Sequence, residues 1–94
     1  MTQRESRLSR NIANAMKDKH KSDLFVFKVW GSEHMMAGLP DLIGCYRGTF
    51  FAFETKTADG KVSRRQEYVM GLIKRAGGTV AVVRSVADAL DALP

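Results

Sequence analysis

One cysteine, few prolines and no long apolar run limit what this 94-residue chain can be. Cys45 alone closes no internal disulfide, and one Cys with two His cannot build a zinc finger, so a reducing compartment is the default. No apolar stretch approaches the ~18 residues of a membrane span. The start, Arg4-Glu5-Ser6-Arg7, has no apolar core behind it of the kind a signal peptide carries. The expectation is a soluble, cytoplasmic protein. The low-hydrophobicity, high-charge signature of disorder is missing too, because 45% of residues are apolar and 27% charged. Repeats, low-complexity tracts and Pro/Ser-rich linkers are also lacking, which predicts one domain over 1–94. A domain this short buries only roughly 60 to 65% of its unfolded surface, so its core is thin and oligomerisation would help it.

What is present is positive charge, and its placement says more than its total. The net charge is +5. Residues 1–28 contribute +4, 29–46 contribute −2, 47–75 contribute +4 and 76–94 contribute −1. Two basic segments flank a small acidic one, as expected where cationic walls present a polyanion to an acidic centre. A charge of this size also serves solubility alone.

From Arg4 to Lys19, Leu8, Ile12, Ala15 and Met16 fall at helical spacing with basic residues opposite, which predicts an amphipathic helix. Residues 24–30, Leu-Phe-Val-Phe-Lys-Val-Trp, read as a largely buried strand ending at Gly31. Beyond a Gly- and Met-containing loop, 41–46 and 49–56 are strand-like runs separated by Arg47-Gly48, a tight antiparallel hairpin signal. Ser63-Arg64-Arg65-Gln66 matches a capping box, followed by the apolar stripe Val69, Met70, Ile73 and Ala76 and a stop at Gly77-Gly78. A Val-rich strand over 79–84 and a short helix from Ser85 to Leu93 complete the order αβββαβα. A right-handed crossover sets the last strand parallel to 49–56, giving a mixed four-stranded sheet with helices on its faces.

If the hairpin turns at Arg47-Gly48, paired residue numbers sum to 95 and Asp41 faces Glu54. Opposed carboxylates about 5 Å apart destabilise each other and call for a cation between them. Lys56 projects from the same face as Glu54, so Asp, Glu and Lys converge at one strand end. A bulge at Gly48 would slip this register by one, and an exposed strand tip with unrelated charges is the plainer alternative.

Gly38-Leu39-Pro40-Asp41, Phe53-Glu54-Thr55-Lys56 and Gln66 in the following helix together resemble the Pro-Asp…(Asp/Glu)-x-Lys nuclease superfamily, PD-(D/E)xK, and within it the stand-alone VRR-NUC domain of phage and bacterial proteins. The likeness runs from the first helix to Ala89 and takes in Gly60-Lys61-Val62-Ser63 and Gly77-Gly78. It implies an α/β restriction-endonuclease-like α/β/α sandwich, in agreement with the element order. It also implies a metal-dependent endonuclease that hydrolyses DNA phosphodiesters, structure-selective toward branched or four-way (Holliday) junction DNA. Asp41, Glu54 and the Thr55 backbone carbonyl would bind Mg²⁺ or Mn²⁺, hard cations that suit carboxylate oxygens. Lys56 would hold the attacking water and the scissile phosphate. A homodimer follows, since one site cuts one strand and a symmetric double cut needs two copies. No organic cofactor and no membrane partner are expected, and the setting would be the cytoplasm of a bacterial or phage-infected host cell. A catalytically idle DNA-binding or assembly module and an RNA-processing nuclease are the alternatives.

Gln66 is explained by the capping box, yet it also lies on the inward stripe, and the family resemblance gives it a role arranging the lysine and water. Glu5, seven residues before Ile12, suits either the helix dipole or the metal ligand that the family often places there. Arg64 and Arg65 occupy a first turn where the dipole disfavours cations, which favours phosphate contact. Arg7 and Lys61 could extend the basic track, and His34 could approach a phosphate. Cys45 is expected to pack as a small hydrophobe, and Trp30, Met35 and Met36 as packing or interface groups.

Overall fold

The computed structural model describes residues 3–31 and 34–94. Its order is α1 (Gln3–His20), a 3-10 turn (Lys21–Asp23), β1 (Leu24–Lys28), β2 (Leu42–Tyr46), β3 (Thr49–Thr55), α2 (Arg64–Arg75), β4 (Thr79–Val83) and α3 (Val86–Ala92). The strands form one sheet in the order β1-β2-β3-β4, antiparallel through β3 and parallel between β3 and β4. This is the mixed αβββαβα arrangement expected, with α1 and α3 on one face and α2 on the other.

The hairpin turns on two residues. Arg47 (φ 48°) and Gly48 (φ 87°) both take the positive φ that matches strand twist, and Arg47 reaches back to Asp23 at 3.2 Å. The register is therefore Leu42 opposite Phe53, Ile43 opposite Ala52 and Tyr46 opposite Thr49, with no bulge. Leu24, Val26, Leu42, Phe51, Phe53 and Val83 meet Ile12, Met16 and Ala89 to make the core beneath α1 and α3. Gly44 lies in that layer because a Cβ there would stand 2.1 Å from the Phe25 carbonyl oxygen and 2.7 Å from the Phe51 ring.

Two expectations need correction. The strand at 24–30 is not largely buried: it ends at Lys28 and alternates, with Phe25 and Phe27 facing solvent. Cys45 is likewise exposed rather than packed. Both follow from the position of α2, which covers β3 and β4 and leaves the same face of β1 and β2 bare.

Candidate active site

At the open end of the hairpin, Pro40 and Asp41 lead into β2 and Glu54, Thr55 and Lys56 lead out of β3, all of them buried. Asp41 is held on both sides of its peptide. Its carbonyl accepts from Val29 N–H at 2.7 Å, tying it to the end of β1. Its Oδ2 accepts from Thr55 N–H at 3.0 Å and from Thr55 Oγ1 at 2.6 Å. One register pair beyond Leu42 and Phe53, Asp41 and Glu54 are neighbours, as the sum of 95 anticipated.

Glu54 is only 1% exposed. Its Oε2 accepts from Gln66 Nε2 at 2.8 Å and lies 3.4 Å from Lys56 Nζ, while its Oε1 is buried without a hydrogen-bond partner. Burial, and then the charge of Asp41, raise the Glu54 pKa to about 7, against the opposing pull of Lys56 and the Asp41 backbone amide. Gln66 completes the capping box, and its side chain also reaches Glu54. Its Oε1 accepts from Ser63 N–H at 2.9 Å, Ser63 Oγ accepts from Gln66 N–H at 3.1 Å, and the remaining amide nitrogen goes to Glu54. The capping box thus aims α2 at the site.

Asp41, Glu54, Lys56 and Gln66 line a cavity of about 690 Å³ together with Glu5, Met35, Met36 and Gly38. Glu5 reaches the cavity wall from the first turn of α1. Among the described residues no three carboxylate, histidine or cysteine groups gather into a ready ligand set, so the acidic pair is Asp41 and Glu54. Two facing carboxylates with one orphaned buried oxygen are the donor chemistry a hard divalent cation takes. Met35 and Met36 face the cavity rather than the core.

The basic candidates divide. Arg64, Lys61 and Arg7 are exposed, whereas Arg65 is engaged: Nε donates to the Ala37 carbonyl at 3.3 Å and the guanidinium lies over Tyr68. Gly38 (φ 84°) lies so near Arg65 that a Cβ there would stand 2.8 Å from the Arg65 carbonyl oxygen, so this pair joins the 34–40 segment to α2. His34 is exposed and stands apart from the cavity lining. Two cations were missed. Arg84 Nη1 donates to the Thr57 and Gly60 carbonyls at 2.7 and 2.8 Å, and with Arg4 and Arg7 it lines a concavity of about 340 Å³. Lys28 donates to the buried Ser9 hydroxyl at 2.9 Å and lies 4.7 Å from the Trp30 ring. Burial lowers its pKa, Arg10 adds to that, and the negative charge of Asp41 and Glu54 opposes it. Its inward parity with Leu24 and Val26, one step from Asp41, was the signal available in the sequence.

A four-stranded α/β/α scaffold with a carboxylate pair, a lysine and a helix-borne glutamine at one sheet end is the class of protein that fold and site define. The chain is similar to a solved structure described as a VRR_NUC domain, with a TM-score of 0.68 and 22% identity over 96% of this chain and 94% of that one. No protein-family model and no curated protein matches the sequence. No helix among the described residues is long and apolar enough to cross a membrane.

Proposed function

We propose that this protein is a metal-dependent endonuclease that hydrolyses DNA phosphodiester bonds, acting on branched or four-way junction DNA as a homodimer. The observation that carries the reading is the Asp41–Glu54 pair, with Glu54 Oε1 buried and unpartnered beside the Lys56 ammonium. Asp41, Glu54 and the Thr55 carbonyl would hold Mg²⁺ or Mn²⁺, which supplies acidification of a water and neutralisation of phosphate charge. The chain's own groups do the rest. Thr55 fixes the Asp41 carboxylate, and Gln66 fixes that of Glu54, so the acidic floor is preorganised. Lys56 Nζ donates to the attacking water or to a non-bridging phosphate oxygen, stabilising the charge that grows as the water oxygen bonds phosphorus. The bridging P–O bond then breaks, and the proton given up by the attacking water is released to solvent, from which the leaving oxygen takes one. Arg64, Lys61, Arg4, Arg7 and Arg84 hold flanking phosphates, contacts that position the strand without reading bases.

The test incubates the protein with supercoiled plasmid, linear duplex and a four-way junction, in Mg²⁺, Mn²⁺ or EDTA. Cleavage that needs metal and favours the junction is expected, and no cleavage of any substrate would overturn the enzyme reading. Lys56→Ala should abolish cutting while junction binding persists. Loss of both together would make Lys56 mainly a binding residue.

A further inference from the structure

Short of the Asp41–Glu54 row, the face of the sheet that α2 leaves bare is apolar. Its side chains form cross-strand rows: Phe25, Cys45 and Phe50 in one, Phe27 and Ile43 in the next, a row that continues into the fully buried Ala52. Phe25 is 66% exposed, Phe27 46% and Phe50 44%. Phe50 lies against the segment that follows α2, where a Cβ on Gly78 would stand 2.9 Å from its ring, and among the described residues Phe25 and Phe27 stay open to solvent. The chain's accessible surface is 5907 Å², roughly 500 Å² more than the ~5,400 Å² that a folded monomer of 10.5 kDa is expected to expose. Exposed apolar area in one contiguous patch marks an interaction surface.

We infer that this shelf, Phe25, Phe27, Ile43, Cys45 and Phe50, is where a second copy of the chain docks, face to face about a twofold axis. The inference builds on the two-copy reading proposed above and names its surface. Chemistry selects the occupant: a polyanion finds no cation in these rows, whereas the same shelf on another copy is flat, neutral and apolar. Shape agrees. The helix α2 stands beside the shelf as a step about 10 Å high, and packed sheets lie about 10 Å apart, so two copies turned about a twofold axis interlock. In that arrangement α2 of each copy abuts the free edge of the partner's β1, an edge that otherwise presents unpaired backbone groups. Area agrees as well. A standard interface buries about 800 Å² per partner, a little over half of it apolar. Three half-exposed phenylalanines with Ile43 and Cys45 supply roughly 400 Å². The next row beyond the shelf holds Asp41 and Glu54, so the docked copy walls one side of each active site.

The inference is tested on the full chain by light-scattering molar mass across concentration, together with the rate at which iodoacetamide alkylates Cys45. The wild type should weigh twice the 10.5 kDa of one chain and protect Cys45. Phe25→Asp combined with Phe50→Asp should give the single-chain mass, unchanged far-UV circular dichroism and alkylation at least about tenfold faster. Phe25→Asp alone, at the most exposed position, repeats the test if the double variant fails to fold. Asn14→Asp, on the solvent face of α1, should leave the dimer intact. A wild type of single-chain mass up to millimolar concentration overturns the inference, as does a dimer in which Cys45 reacts freely and Phe25→Asp changes nothing. Neither readout uses nucleic acid. An inactive dimer would overturn the nuclease reading and leave the interface standing, and an active monomer would do the reverse.

Discussion

Glu54 is the most deeply buried carboxylate of the candidate site, and its protonation links stability to pH. Native Glu54 keeps its proton up to about pH 7, while the unfolded chain releases it near 4.5. The native state therefore binds more protons between those limits. This contribution to stability is fully present below about pH 4.5 and is lost as pH rises through 7. The loss is on the order of 3 kcal/mol. In EDTA, urea midpoints of the wild type should fall across this window, and Glu54→Gln should remove that slope. A divalent cation must displace the proton, so Mg²⁺ should raise the melting temperature more at about pH 8 than at about pH 5.5. An equal rise at both would mean that Glu54 is not a ligand.

At the scale of elements, α2 and the 34–40 segment bring the candidate site together. Ser63 caps α2 and simultaneously anchors Gln66, whose other end holds Glu54. Ser63→Ala should cost about 1 kcal/mol in urea unfolding and lower the cutting rate further than that loss of fold explains. Gly38 is the second hinge of this unit. A Cβ there would stand 2.8 Å from both the Arg65 carbonyl oxygen and its Cγ, at a positive φ. Gly38→Ala should destabilise by about 1 to 3 kcal/mol, read as a melting shift of several degrees.

Across the whole molecule, charge is arranged as two layers around an acidic floor. Arg4, Arg7 and Arg84 line a separate concavity, and Arg64 and Lys61 are exposed at and just before the start of α2. Replacing the exposed Arg7 or Arg64 by Ala should each reduce the slope of log affinity against log salt by about one unit, measured by fluorescence anisotropy on junction DNA. An unchanged slope would leave that residue as solvated surface. Arg65 is a poorer choice for this test, since its side chain already serves the loop.

Much of this was legible in residue order because it depends on local physics. The hairpin at Arg47-Gly48, the capping box at Ser63 and Gln66, and hence the pairing of Asp41 with Glu54, are consequences of turn and cap chemistry acting over a few residues. What the tertiary structure decided were questions of cover and reach. Alternation marks Phe25, Phe27 and Cys45 as sharing one face, but whether a helix lies on that face depends on where α2 lands, and it lands over β3 and β4. Lys28 looked like an ordinary strand-end lysine until α1 brought Ser9 against it. Arg84 became part of a basic wall only when the 57–60 turn folded back to hold its guanidinium. Turn, cap and register are set by neighbours along the chain. The orphaned oxygen of Glu54, the bare shelf and the two hidden cations are set by packing between segments that sequence spacing does not describe.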